Sequence, residues 1–290
     1  MNRPCSPMPD VPPPPTLIRG GGQSGLCRPL VFDSPHSGSW LPAGFRSPLP
    51  RAMFEHLQDT WVDQLYDEVP ALGASLLVAP VSRMYLDLNR GRSDIDPLTL
   101  ADPWPGLEGI SPRAALGMGL VWRHVQGQPA LDSLLTQDDM QQRLAQIWDP
   151  YHRLLQDELD RVHALFGQVL HVNVHCMSDE VYQWLGLPEQ PLADVVLGNL
   201  DGASCDADVM DVWRRAFESH GFSVSDNWPF RGAALIEATA SPALGRQSLQ
   251  IEVKRSLFRD ALGWRVEGPW RALRQAIACA VGHWPARQAV

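Results

Sequence analysis

The sequence predicts an α/β fold with a largely parallel central sheet. Short apolar runs typical of buried strands, at 30–33, 169–174 and 248–253, are separated by segments in which apolar residues recur at helical spacing. Strands that alternate with helices are typical of α/β proteins, because each helix returns the chain to the start of a parallel strand. The 290 residues are 44% hydrophobic, which is enough to bury one large core.

The elements follow in chain order from the spacing of apolar residues and from Gly and Pro at segment ends. The first half predicts a strand at 30–33, a helix at 54–72, a strand at 74–80, a short strand at 85–88 and a long loop region at about 91–120. The second half predicts a helix at 138–166, strands at 169–174, 195–197, about 222–224 and 248–253, and helices at 206–220 and 270–281. Pro150 predicts a break or kink inside the longest helix.

The N-terminal 25 residues are predicted to form a flexible tail. This segment is rich in Pro and Gly, and the run 12–15 consists of four prolines, which favour an extended and solvated chain. It lacks the hydrophobic stretch of a signal peptide. The remaining residues, 26–290, show no internal repeat and no boundary of a second domain, so we expect a single domain there.

Charge and composition argue against several classes of partner. The net charge is −9, Lys254 is the only lysine and no basic block occurs, which argues against nucleic acid. No apolar run reaches the roughly 20 residues of a membrane-spanning helix. The five cysteines form no CxxC pair, and their odd number fits no disulfide framework, so we expect a reduced, cytoplasmic protein.

Candidate catalytic residues cluster where the predicted strands end, as functional groups do in α/β proteins. His36 follows the first strand in the turn DSPHSG, and His175 follows the strand at 169–174. Glu252 lies in a strand between two apolar neighbours. Two histidines and a carboxylate are a competent ligand set for zinc that leaves a position open for water or substrate. The stretch SRMYLDLNR adds arginines that could hold a substrate carboxylate.

Each candidate also has a purely structural interpretation. Any single histidine in the chain could be an ordinary surface or loop residue. Glu252 could be a strand-edge partner of Arg255, and Arg83 and Arg90 could be ion-pair partners of Asp87 or Asp94. Cys176 could be a small buried hydrophobe instead of a thiol nucleophile.

Several motifs occur in a fixed order along residues 30–258. They are PHSG at 35–38, a predicted helix opening with Asp59, SRMYLDLNR at 82–90, DPYHRLLQDEL at 149–159, VHCMS at 174–178, LGNLDGASCD at 197–206 and LQIEV at 249–253. In this order they resemble the N-formylglutamate amidohydrolases. The resemblance implies hydrolysis of N-formylglutamate to glutamate and formate in histidine breakdown. It also implies a three-layer α/β/α arrangement around a mixed sheet, the phosphorylase/hydrolase-like fold of zinc carboxypeptidases.

The resemblance also implies roles for individual residues. His36, His175 and Asp59 would be metal ligands, with Asp63 as the competing third ligand; Glu252 would be the general acid/base; Asn89 and Arg90 would grip a substrate carboxylate; Arg83 would polarise the scissile carbonyl or hold a second carboxylate; and Gly232 would lie at the substrate. Zinc is the metal we expect, although such ligand sets also accept iron or manganese.

The sequence departs from the family pattern at three positions. Asn173 stands where the family usually has an aspartate two residues before the second histidine, Cys176 replaces a serine, and Glu237 falls near the position of an arginine. The matching motifs favour a metal-dependent hydrolase of N-formylglutamate as the leading hypothesis. Glu237 motivates a second hypothesis, a hydrolase of another small N-acyl amino acid with a neutral or basic side chain. Asn173 and Cys176 motivate a third, an inactive relative that binds such a molecule.

Overall fold

The computed structural model describes residues 11–21 and 25–288, and the chain forms two compact units. The first unit comprises the described residues up to 16 together with 36–60 and 79–152. The second comprises 17–35, 61–78 and 153–290, without the undescribed positions. The single domain expected over 26–290 stays a prediction.

Secondary structure is distributed over the whole described chain. The strands are β1 (Thr16–Ile18), β2 (Leu26–Cys27), β3 (Leu30–Ser34), β4 (Ser75–Val78), β5 (His124–Val125), β6 (Gln128–Pro129), β7 (Val169–Met177), β8 (Val195–Gly198), β9 (Val224–Asp226), β10 (Arg246–Lys254) and β11 (Arg287–Gln288). The helices are α1 (Arg51–Leu57), α2 (Val62–Leu65), α3 (Pro112–Ala115), α4 (Gln137–Arg143), α5 (Asp149–Phe166), α6 (Val181–Leu185), α7 (Ala207–Glu218), α8 (Ala234–Thr239) and α9 (Glu267–His283).

Seven strands form the sheet of the second unit, in the order β1-β4-β3-β7-β10-β8-β9. The pairs β4–β3, β3–β7, β7–β10 and β8–β9 are parallel, and only β10–β8 among the described pairings of these strands is antiparallel. The sheet is therefore mixed and mostly parallel, which confirms the predicted α/β class.

The two faces of this sheet differ in chemistry, because successive side chains of a strand point to opposite sides. On β7, Leu170, Val172, Val174 and Cys176 belong to the apolar core that includes α2, α7 and α9. The alternate residues of β7 face the other side, where α8 packs against β7 and β10. Helices thus cover both faces of the sheet, as a three-layer arrangement requires.

Two predicted elements in the first half of the chain are wrong. The helix expected over 54–72 is interrupted between α1 and α2, where the Asp59 N–H donates to the carbonyl of His36 at 3.1 Å. Trp61 follows in a left-handed conformation with φ 69°. The strand expected at 85–88 consists of turns, because Tyr85 and Arg90 donate backbone hydrogen bonds to residues three positions earlier. Tertiary contacts override the local pattern in both cases.

Other predictions hold with altered boundaries. The helix at 138–166 is present, and a π-helical segment, Leu144–Trp148, joins α4 to α5 directly before Pro150. A proline lacks the N–H that a regular turn would use, so a widened turn at this position is expected. The strand predicted near 222–224 is shifted to β9.

The predicted tail is only partly described. Residues 1–10 and 22–24 lie outside the described residues. The segment Thr16–Ile18 is the strand β1 next to β4, so this part of the predicted tail is ordered. No described helix is both long and apolar enough to cross a membrane.

Gly38 is required by close packing in the turn that carries His36. A Cβ atom at this position would overlap the backbone of Ala79 and Pro80, which cannot move aside like the end of a side chain. We expect Gly38→Ala to destabilise the protein by about 1–3 kcal/mol, the usual cost of overpacking. Thermal unfolding measures this, with Gly44→Ala as the control because a Cβ there meets no atom within 4 Å. Equal melting temperatures of the two variants would contradict the prediction.

Candidate active site

His36 lies two residues beyond the end of β3, as the turn DSPHSG predicts. Pro35 ends the strand, and the Trp40 N–H then donates to the carbonyl of Pro80 at 3.0 Å. Ser37 donates from its hydroxyl to the carbonyl of Asp59 at 3.1 Å. These contacts hold the turn against the segments that carry Asp59 and the stretch from residue 79 onward. The imidazole of His36 is buried, with 1% of its surface exposed.

The two ring nitrogens of His36 have different neighbours. Nε2 lies 2.7 Å from Oδ1 of Asp87, and Nδ1 lies 3.5 Å from Oδ2 of Asp59. An ionised carboxylate only accepts hydrogen bonds, so Nε2 of His36 donates to Asp87, and Nδ1 is the nitrogen placed to coordinate a metal. Two ligand atoms about 2.1 Å from a tetrahedral zinc ion lie about 3.4 Å apart. The separation of His36 Nδ1 and Asp59 Oδ2 therefore fits two ligands of one metal.

Asp87 is the centre of the polar network in the first unit. In addition to His36, its carboxylate accepts hydrogen bonds from Arg83 at 2.9 Å, from the indole of Trp122 at 3.0 Å and from the backbone N–H of Asn89 at 2.9 Å. Burial alone would raise the pKa of Asp87, but the charges of Arg83, His36 and Arg90 together hold this pKa well below its usual value. Asp87 is thus an ionised acceptor that fixes the ring of His36.

The predicted substrate-binding residues of SRMYLDLNR lie in the same network. Arg83 is 15% exposed, and its guanidinium lies over the ring of Trp122, 4.8 Å from the centroid. Arg90 is buried and donates to the carbonyls of Met118 and Asn89. Burial lowers the pKa of Arg90 to about 10. These contacts favour a structural role for Arg90 and leave Arg83 as the more exposed cation.

His152, in the motif DPYHRLLQDEL, and the preceding Trp148 contact the backbone on both sides of Asn89. His152 donates a hydrogen bond from Nε2 to the carbonyl of Leu88 at 3.0 Å and stacks on Trp148 at 3.7 Å between ring centroids. The indole N–H of Trp148 donates to the carbonyl of Arg90 at 3.0 Å. The backbone on both sides of Asn89 is therefore fixed by contacts with these two rings.

Asp63, the competing third ligand, has a different environment from Asp59. It lies in α2 in the second unit and is partly exposed, whereas Asp59 is 1% exposed and lies beside His36. Burial raises the pKa of Asp63, which disfavours the ionised form that a metal ligand needs. Both observations favour Asp59.

His175 and Glu252 form the second cluster, on the sheet of the second unit. They are direct partners in the parallel pairing of β7 with β10, so both side chains point to the same face. Glu252 is 7% exposed, and the amide of Gln250 donates to its Oε1 at 3.0 Å. Ile251 and Val253, on either side of Glu252, belong to the apolar core. The carboxyl group therefore faces away from the core, as expected for a catalytic acid.

Asn173, the departure from the family pattern, contacts His175 directly. The ring Nε2 of His175 lies 2.7 Å from Oδ1 of Asn173. The amide nitrogen of Asn173 donates to Oδ1 of Asp33 at 2.8 Å, which fixes the orientation of the amide. His175 therefore donates from Nε2, and its Nδ1 is the nitrogen suited to coordinate a metal.

The remaining candidate residues have structural environments in the second unit. Cys176 is buried in the apolar core, and the Nε–H of Arg255 donates to its sulfur at 3.4 Å. Gly232 has φ 127°, and a Cβ there would overlap Ile236. Glu237 is exposed on α8. Core packing thus accounts for Cys176 and Gly232.

Sequence reasoning missed Asp33, His171 and Trp122 as parts of these networks. Alternation along VLHVNVHCM places His171, Asn173 and His175 on one face, so period two would have indicated His171. Asp33 faces Asn173 only because β3 pairs with β7, and no local sequence pattern predicts this pairing.

Comparisons with known proteins agree on one family. Residues 28–259 match the model of the N-formylglutamate amidohydrolase family. The N-formylglutamate deformylase of Pseudomonas putida is 30% identical over 237 residues, which are 80% of this chain and 82% of that protein. The N-formylglutamate amidohydrolase of Ralstonia eutropha JMP134 has a TM-score of 0.87 and 36% identity, and the match covers 93% of this chain and 96% of that one. A gene product of Agrobacterium tumefaciens shares the fold, with a TM-score of 0.65 at 14% identity and coverage of 93% and 94%.

Proposed function

Because the chain belongs to the N-formylglutamate amidohydrolase family, we propose that it hydrolyses N-formyl-L-glutamate to formate and glutamate. The match to the family over residues 28–259 is the observation that carries this proposal. Relatives from two Pseudomonas species that are named N-formylglutamate deformylase support it, at 30% and 29% identity. The cytoplasmic location expected from the cysteine pattern stays a prediction.

The proposed metal ligands are His36, Asp59 and His175. Each of the three is buried and offers one ligand atom, and two nitrogens with one carboxylate oxygen suit zinc. Hydrogen bonds from Nε2 to Asp87 and Asn173 support the proposal that Nδ1 of each ring would be the ligand atom. When bound, the metal supplies a Lewis acid that lowers the pKa of water to about 7 and polarises a carbonyl group.

Glu252 is the proposed general acid/base. Its carboxylate takes a proton from the attacking water, whose oxygen forms the new bond to the formyl carbon. The same proton is then delivered to the amine nitrogen as the C–N bond breaks, which yields formate and the free amino group of glutamate. The proposed role of Arg83 is to polarise the formyl carbonyl or hold a substrate carboxylate, because its guanidinium is partly exposed.

The proposed substrate has the acidic side chain of glutamate. Glu237 motivated the hypothesis of a substrate with a neutral or basic side chain, because an acid near the substrate would repel glutamate. The Glu237 side chain is exposed to solvent, where charges are strongly screened. This weakens the argument for a neutral or basic substrate.

Formate release from a panel of N-formyl amino acids tests the proposal. We expect zinc-loaded protein to hydrolyse N-formyl-L-glutamate with a kcat/KM at least about tenfold above that for N-formyl-L-glutamine or N-formyl-L-lysine. A preference for the neutral or basic substrates would support a hydrolase of a different N-acyl amino acid. Tight binding of N-formylglutamate to metal-replete protein without turnover would identify an inactive binding relative.

A further inference from the structure

A buried row of polar side chains crosses β3 and β7 on the sheet face that carries His175. Asp33, His171 and Asn173 are all 0% exposed. Asp33 and Asn173 are direct partners in the parallel pairing of β3 with β7. A carboxyl group is costly to bury unless hydrogen bonds compensate the loss of water, so the buried carboxyl group of Asp33 must be stabilised by its hydrogen-bond partners.

The hydrogen bonds of the row converge on the carboxylate of Asp33. Oδ1 of Asp33 accepts from Nδ2 of Asn173 at 2.8 Å and from Nε2 of His171 at 2.7 Å. Oδ1 of Asn173 in turn accepts from Nε2 of His175 at 2.7 Å. The amide of Asn173 is thus the link between a carboxylate and the ring of a proposed metal ligand.

Histidine ligands usually donate their second N–H to a carboxylate or carbonyl, which fixes the ring and makes it a better ligand. A neutral amide is a weaker acceptor than a carboxylate. An amide whose N–H donates to a carboxylate is polarised, however, and its oxygen becomes a stronger acceptor. The negative charge of Asp33 can therefore strengthen the hydrogen bond that His175 donates, because Asn173 contacts both residues.

We propose that Asp33 is the positioning carboxylate of His175 and acts through the amide of Asn173. The pair Asp33–Asn173 takes the place of a single carboxylate in contact with the histidine. This inference rests on the proposed metal role of His175. The competing explanation, that Asp33 only satisfies the buried ring of His171, predicts no effect of Asp33 on metal binding.

The affinity of the full-length protein for Zn²⁺, measured by competition with a chromophoric chelator, tests the inference. Asp33→Asn preserves the shape of the side chain and removes the charge, and we expect it to weaken Zn²⁺ binding by about 10–100-fold. Glu158→Gln is the matched control, because Glu158 is also 0% exposed and hydrogen-bonded from Ser75, Arg19 and Arg161. We expect this control to lower the melting temperature and leave the Zn²⁺ affinity unchanged.

The double variant D33N/N173D exchanges carboxylate and amide within the pair. Its carboxylate contacts His175 directly, so we expect Zn²⁺ affinity within about threefold of wild type and the Co²⁺ absorption spectrum of wild type. If D33N does not fold, the Zn²⁺ affinity of the double variant still tests the inference. A double variant that binds Zn²⁺ more than tenfold tighter than wild type would show that Asp33 gives His175 no support in the natural protein.

The outcomes separate the inference from the proposed function. Wild-type protein that binds no Zn²⁺ would overturn the metal proposal, and the inference with it. Wild-type protein that binds Zn²⁺ tightly, together with a folded D33N variant of equal affinity, would overturn the inference alone.

Discussion

Glu252→Gln protein is expected to release formate from N-formylglutamate about 10²–10⁴-fold more slowly than wild type, the usual contribution of a general acid/base. The amide keeps the shape of the side chain and its place opposite His175, but cannot take a proton from water. We therefore expect the loss in kcat, with KM and zinc content close to wild type. Initial rates of formate release and metal analysis measure these quantities.

Glu237→Gln is the control for this experiment. It makes the same chemical change on α8, at an exposed side chain outside the proposed machinery, and we expect wild-type rates. A Glu252→Gln variant that keeps more than a tenth of the wild-type kcat would eliminate Glu252 as the general base.

Asp59→Asn is expected to weaken Zn²⁺ binding by more than about 100-fold, because residues that merely support a ligand already change affinity 10–100-fold. The variant should lose its zinc on dialysis and release formate at a rate reduced by a similar factor. Asp59 is chosen because Oδ2 lies 3.5 Å from Nδ1 of His36, a separation that suits two ligands of one ion.

Asp63→Asn provides the matched comparison. Its carboxyl is partly exposed in α2, and burial raises its pKa, so we expect this variant to retain zinc and activity. Loss of zinc from Asp63→Asn protein with retention in Asp59→Asn protein would reverse the assignment of the third ligand.

Sequence patterns predicted those parts of the site that depend on local periodicity. Period two along β10 placed Glu252 opposite to its apolar neighbours, and the structure has Ile251 and Val253 in the core. The turn chemistry of DSPHSG placed His36 directly beyond a strand, where it is found. In both cases the residue type and its position in one element were sufficient.

The features of the fold and the site that the sequence did not predict depend on contacts between distant segments. Asp33 and Asn173 are 140 positions apart, and their contact depends on the order of strands in the sheet. The helical pattern around Asp59 is real but is overridden by the hydrogen bond from its N–H to His36. Arg90 was predicted from its motif as a substrate ligand, and its Nε and Nη1 donate to the carbonyls of Met118, which is 28 positions away, and Asn89.

The opposite faces of β7 and β10 restrict how this protein can change over evolutionary time. Each strand has core residues on one side and either His175 or Glu252 on the other. Insertion or deletion of one residue inside either strand would exchange its two sides, placing apolar groups among the polar side chains and His175 or Glu252 in the apolar core. Viable variation there is confined to replacements at constant length. Length changes have to be absorbed in connections such as residues 259–266, where Leu262 and Trp264 are 83% and 70% exposed.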